Sequence, residues 1–122
     1  MDGLPQNPQN RDDVAPMAFM GVDSPAFRDL VADYYNCISR LDSMIGDLLQ
    51  ILKNSGKGEN TIVIYIGDHG ADMLRSKRTC YEGGLRIPMV MRWRGQVAPH
   101  ICNELVSTLD IMPTILDAAG VE

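Results

Sequence analysis

From Phe27 to Leu52 the apolar residues step by three or four: Phe27, Leu30, Val31 and Tyr34, then Ile38, Leu41, Ile45, Leu48 and Leu52. That spacing draws one apolar stripe along a helix of period 3.6. Ser24 supplies a side-chain oxygen for the N-cap, Pro25 suits the first helical position, and Gly56 suits a left-handed C-cap. The spacing thus predicts a helix from Pro25 to about Ser55, roughly 45 Å long, which needs an extended surface to lie on. Gly46 within it costs about 1 kcal/mol relative to alanine, a cost that close packing at that point would offset.

The pattern then changes. Thr61 to Gly67, "TIVIYIG", is apolar and β-branched without alternation, as in a strand covered on both faces in a parallel sheet. A second strand is predicted over Arg86 to Trp93, "RIPMVMRW", with Pro88 near its start, where a missing N–H costs least. "RGQVAPH" reads as a turn. Val106 to Ala119 returns to helical spacing, interrupted near Pro113, which can begin a helix but not continue one, and Gly120 is placed to cap it. Residues 1–23, rich in Pro, Asn, Gln and Asp, offer little to bury and read as a flexible tail or connecting loop. The expected class is α/β, with residues 24–122 as the folded portion.

Composition narrows the function. The chain has 122 residues, 45% hydrophobic and 22% charged, with a net charge of −5. No basic stripe offers itself to a nucleic-acid backbone, so nucleic acid is not an expected partner. No apolar run is long enough for a membrane span, and the N-terminus lacks the pattern of an export signal. Cys37, Cys80 and Cys102 are too few and too widely spaced for a disulfide framework or a Cys-x-x-Cys site.

The chemistry concentrates where the first strand ends, in "IGDHGADM". In α/β sheets, ligands bind beyond the carboxyl ends of strands. Asp68 and His69 stand there between Gly67 and Gly70, whose freedom lets the chain turn so that both side chains converge. A carboxylate and an imidazole can supply two ligands to a divalent cation. The bland alternative is an aspartate capping a turn beside a hydrogen-bonded loop histidine.

The blocks "YYNCISRLDSMIGDLLQILKNSGKGENTIVIYIGDHG", "KRTCYEGGLRIP", "MVMRWRG" and "ELVSTLDIMPTILDAAGVE", in that order, resemble the sulfatases of the alkaline-phosphatase superfamily over residues 24–122. The short loop between "DHG" and "KRT" is most like the heparan N-sulfatase (sulfamidase) subgroup. The resemblance implies the C-terminal part of a sulfatase catalytic domain, a fragment of an alkaline-phosphatase-like sandwich with a mostly parallel central sheet flanked by helices. It further implies hydrolysis of a sulfuric ester or sulfamate on a small molecule or glycan, assisted by a divalent metal ion. Asp68 would be a carboxylate ligand of that ion and His69 a second metal-site residue. Calcium comes first, with magnesium, manganese and zinc as alternatives. Lys77 would be the catalytic lysine that reaches the sulfate group. Gly83 and Gly84 would allow the sharp return from loop to strand, and Arg78 would lie on the surface.

The family's nucleophile, a formylglycine made within a C/S-x-P-x-R motif, has no counterpart here: "CISRL" lacks the proline, and "SPAFR" has its residues at the wrong spacing. The isolated chain is therefore expected to be inactive. Alternatives are a phosphodiesterase or phosphonate hydrolase of the same superfamily, or a non-catalytic α/β interaction module. Sheet edges without neighbours would favour self-association.

Overall fold

A computed structural model describes residues 6–121. Residues 1–5 of the expected tail, and Glu122, lie outside the described residues. Helix α1 spans Pro25–Asn54. The Ser24 hydroxyl accepts from the Phe27 N–H, and Gly56, with φ of 71°, donates its N–H to the Lys53 carbonyl. Both ends are thus set by the residues that the sequence marks for them.

Strand β1 is Ile62–Ile66 and β2 is Met89–Trp93, with the short helix α2, Glu82–Leu85, between them. The strands pair antiparallel, Ile62 opposite Trp93 and Ile66 opposite Met89. The mostly parallel central sheet implied by the resemblance is therefore not what these strands form; among the described residues the sheet has two strands and one antiparallel pairing. The reason lies in residues 67–88. They fold into compact turns instead of a crossover running back along β1, and so deliver β2 beside the end of β1. A bond from the Gly67 N–H to the Pro88 carbonyl, 3.0 Å, extends the ladder at that end.

Helix α3 is Ile111–Ala118, preceded by a single 3₁₀ turn at Thr108–Asp110. Ser107 opens that turn with a capping box: its hydroxyl accepts from the Leu109 N–H, and the Asp110 carboxylate accepts from the Ser107 N–H. Pro113 falls in the first turn of α3, where its missing N–H removes no helical bond, and Gly120 follows with φ of 67°.

The core is small. Val14, Val31 and Ala32 are buried together, with Phe27, Tyr35 and Met73 packed on them. Segment 6–23, expected as a flexible tail, supplies Val14 and also Met20, both buried. It is fastened to α1 through its backbone: buried Asn36 accepts from the Gln9 N–H at 2.8 Å and donates to the Gln9 carbonyl at 2.9 Å. The Arg28 guanidinium donates to the Val14 carbonyl, and Arg11 pairs with Asp29.

The apolar stripe is covered only in part, mainly around Val31 and Ala32. Val31 is 3% exposed, whereas Leu48 is 63% exposed and Leu41, Met44 and Ile51 also face outward. The total accessible surface is 9821 Å². A compact monomer of 13.5 kDa would expose about 6,500 Å². Apolar faces of α1, α3 and the sheet, together with the extended segment 94–107, contribute to that surplus.

Candidate functional site

Beyond β1 the chain turns within two residues. The Asp68 carboxylate accepts from the His69 N–H at 2.9 Å, and its other oxygen lies 3.0 Å from His69 Nε2. His69 Nδ1 is 2.8 Å from the Gly70 carbonyl. An oxygen therefore stands opposite each ring nitrogen, an arrangement that an imidazolium satisfies at both ends and a neutral ring at one. Both side chains are solvent-accessible.

The downstream loop packs against this turn and is pinned internally by a buried hydroxyl. Ser76, 3% exposed, donates from Oγ to the Gly83 carbonyl at 2.5 Å, while its own carbonyl accepts from Thr79 Oγ1. Glycines make the approach feasible. A Cβ on Gly70 would lie 1.7 Å from the Gly83 carbonyl oxygen and 2.4 Å from Ser76 Oγ; one on Gly84 would lie 2.4 Å from the Thr79 carbonyl oxygen. None of Gly67, Gly70, Gly83 and Gly84 has a positive φ. The expectation that these glycines serve backbone bending is thus corrected: they are needed because two turns cross with no room for a side chain.

Two non-glycine residues in the loop do take left-handed conformations, Arg75 (φ 56°) and Arg78 (φ 69°). Each is an uncommon geometry for its residue type and is supported by a contact of its own. Arg75 donates to the Phe19 carbonyl, and Arg78, on the surface as expected, pairs with Asp72 at 3.0 Å.

A cleft of about 640 Å³ opens between the end of β1, the middle of α1 and the turn at Ala18–Met20. Asp68, His69, Asp72 and Glu82 line it together with Ser76 and Arg86. Met20, Phe19, Tyr34, Ile38 and Tyr65 form its apolar wall. Asp68 and His69 thus share the cleft. Lys77 stands beside it: half-buried, its N–H bonded to the Ala71 carbonyl at 2.9 Å, it is not among the residues that line the space.

As a metal site the donor set is partial. Among the described residues no three His, Cys, Asp or Glu side chains gather as a cation site would require. Asp68 and His69 offer two donors, and the facing atoms, Asp68 Oδ2 and His69 Nε2, are occupied with each other. The three cysteines are exposed and unbridged; Cys37 lies on α1 but on its open side. The sequence reading overlooked Ser76, Phe19 and Arg86. The pair Gly83-Gly84, opposite a serine in the same loop, was the available signal for the first.

A family model described as Sulfatase matches residues 4–121. The match takes in most of the segment that the motif resemblance alone leaves out. Among curated proteins the chain is 38% identical over 87 residues to an ulvan-active sulfatase of Formosa agariphila, covering 70% of this chain and 15% of that protein. It is 35% identical over 95 residues to human arylsulfatase A, covering 68% and 19%. An endo-4-O-sulfatase of Bacteroides thetaiotaomicron is 34% identical over 92 residues, covering 71% and 18%. The chain spans less than a fifth of the length of these relatives.

Proposed function

Since this chain belongs to the sulfatase family, we propose that it forms the part of a metal-assisted sulfuric ester or sulfamate hydrolase that presents Asp68 and His69 to a divalent cation. The substrate class is a sulfated small molecule or glycan, with a sulfamate of the heparan N-sulfatase type as the finer choice. One observation carries the reading: within a family match over residues 4–121, the adjacent carboxylate and imidazole lie at a strand end and line one cleft.

The bound cation, calcium first, would polarise a sulfate oxygen. Asp68 and His69 are two of its ligands in this reading, too few to hold it alone, so further donors must come from outside the described set. Lys77, beside the cleft, supplies positive charge toward the leaving oxygen once its flexible side chain turns inward. The chain by itself has no nucleophile of the C/S-x-P-x-R kind and is expected to turn over no sulfate ester.

Two measurements test this. Calcium titration of the 122-residue chain, followed through the amide resonances of residues 67–71, should give weak saturable shifts that Asp68→Asn removes. An aryl sulfate assay on the same protein should show no turnover. Turnover that Asp68→Asn abolishes would overturn the inactivity, and calcium shifts unaffected by Asp68→Asn would overturn the ligand assignment. Nothing in the geometry favours phosphate-ester chemistry over this reading.

A further inference from the structure

Of the arginines in the described chain, Arg11, Arg28, Arg78 and Arg94 each form an ion pair, with Asp29, Asp23, Asp72 and Glu59 respectively. Arg75 is spent on the Phe19 carbonyl and lies over the Tyr81 ring. Arg40, Arg86 and Arg92 have no carboxylate partner among the described residues, and of these three only Arg86 lines the cleft that Asp68 and His69 share. Lys77 does not line it. Among the described residues, Arg86 is thus the one lysine or arginine that lines the cleft, and it is exposed and has no carboxylate partner there.

Its backbone is held by the turn on both sides. Arg86 follows α2 directly, and its N–H bonds to the Glu82 carbonyl at 2.9 Å. The Ser76 and Gly83 crossing anchors the turn from the other side. Two of the three cleft carboxylates are engaged elsewhere, Asp68 with His69 and Asp72 with Arg78. Glu82 remains, and its carboxylate forms no ion pair with Arg86. A planar guanidinium with five N–H donors matches a tetrahedral oxyanion in two-point contact, and the rings of Phe19, Tyr34 and Tyr65 line the same cleft.

We propose that Arg86 is an oxyanion-binding residue of this cleft, holding the sulfate group of the substrate through its guanidinium, with Glu82 limiting the affinity by repulsion. The proposal rests on the sulfatase reading above and adds a binding residue to it.

Inorganic sulfate is the probe, titrated into the 122-residue chain against sodium chloride at equal ionic strength so that screening is constant. Amide resonances of residues 67–71 and 82–87 report binding. The wild-type chain should show saturable shifts at both segments. Arg86→Gln should weaken sulfate binding about fivefold or more. Arg86→Lys should fall between the two, and Glu82→Gln should tighten binding. A wild-type chain with no saturable sulfate shifts, or an Arg86→Gln change smaller than about twofold, overturns the proposal. So does Glu82→Gln weakening binding, because Glu82 would then be supporting the site. The calcium titration is independent of all these variants, so failure here leaves the assignment of Asp68 and His69 to be judged by its own test.

Discussion

Replacing Gly70 by alanine adds one methyl group where two turns touch. That Cβ would stand 1.7 Å from the Gly83 carbonyl oxygen and 2.4 Å from Ser76 Oγ. Neither neighbour can yield cheaply. The Gly83 carbonyl is backbone held by Ser76, and Gly83 itself packs under the Phe19 ring. Overpacking costs about 1–3 kcal/mol, and losing the Ser76 to Gly83 hydrogen bond adds about 1 kcal/mol, so the expected loss is roughly 3 kcal/mol. Against a typical total of about 5–15 kcal/mol this is severe. With a urea m-value of roughly 1.5 kcal/mol/M, the midpoint should fall by about 2 M. Gly46→Ala provides the control, since a Cβ there meets nothing within 4 Å and the site is mid-helix. It should gain about 1 kcal/mol. Urea denaturation of both variants beside the wild type decides the matter. A Gly70→Ala midpoint within about 0.3 M of wild type would refute the crossing of the turns described above.

Three further outcomes are expected. Ser24→Ala, which removes the oxygen bonded to the Phe27 N–H, should cost about 1 kcal/mol in the same denaturation experiment; no change would mean that the helix start is set by Pro25 and packing alone. The Arg28 guanidinium, hydrogen-bonded to Asp23, holds that carboxyl below the usual aspartate range. A lowered folded pKa means that the pair's contribution is present above the unfolded value and lost as pH falls through the folded one. Carboxyl NMR titration should therefore place Asp23 below ordinary aspartates, and Arg28→Ala should raise it; an unchanged midpoint would remove the pair as the cause. Finally, the uncovered apolar faces and open strand edges should make the purified chain self-associate, with sedimentation coefficients that rise with concentration. Monomeric sedimentation throughout the micromolar range would show that those faces tolerate water.

The limits of the long helix, both strands, a late helix beginning near Pro113 and the position of Asp68 and His69 at a strand end were all written in the sequence. Each depends on residues a few positions apart: a cap and its first turn, a period of 3.6, an apolar run closed by glycine. The direction of strand pairing was not, because an uninterrupted apolar run reports burial on two faces and is silent about which way its neighbour runs. Tertiary structure alone settled that β2 returns beside the end of β1. It also decided that the segment carrying Gln9 and Val14, expected as a flexible tail, is strapped to α1 by Asn36 and Arg28. It set Arg86 on the cleft and Lys77 beside it. These outcomes turn on which distant backbones approach one another, and glycines chosen for lack of a side chain look, in a sequence, like glycines chosen for a turn.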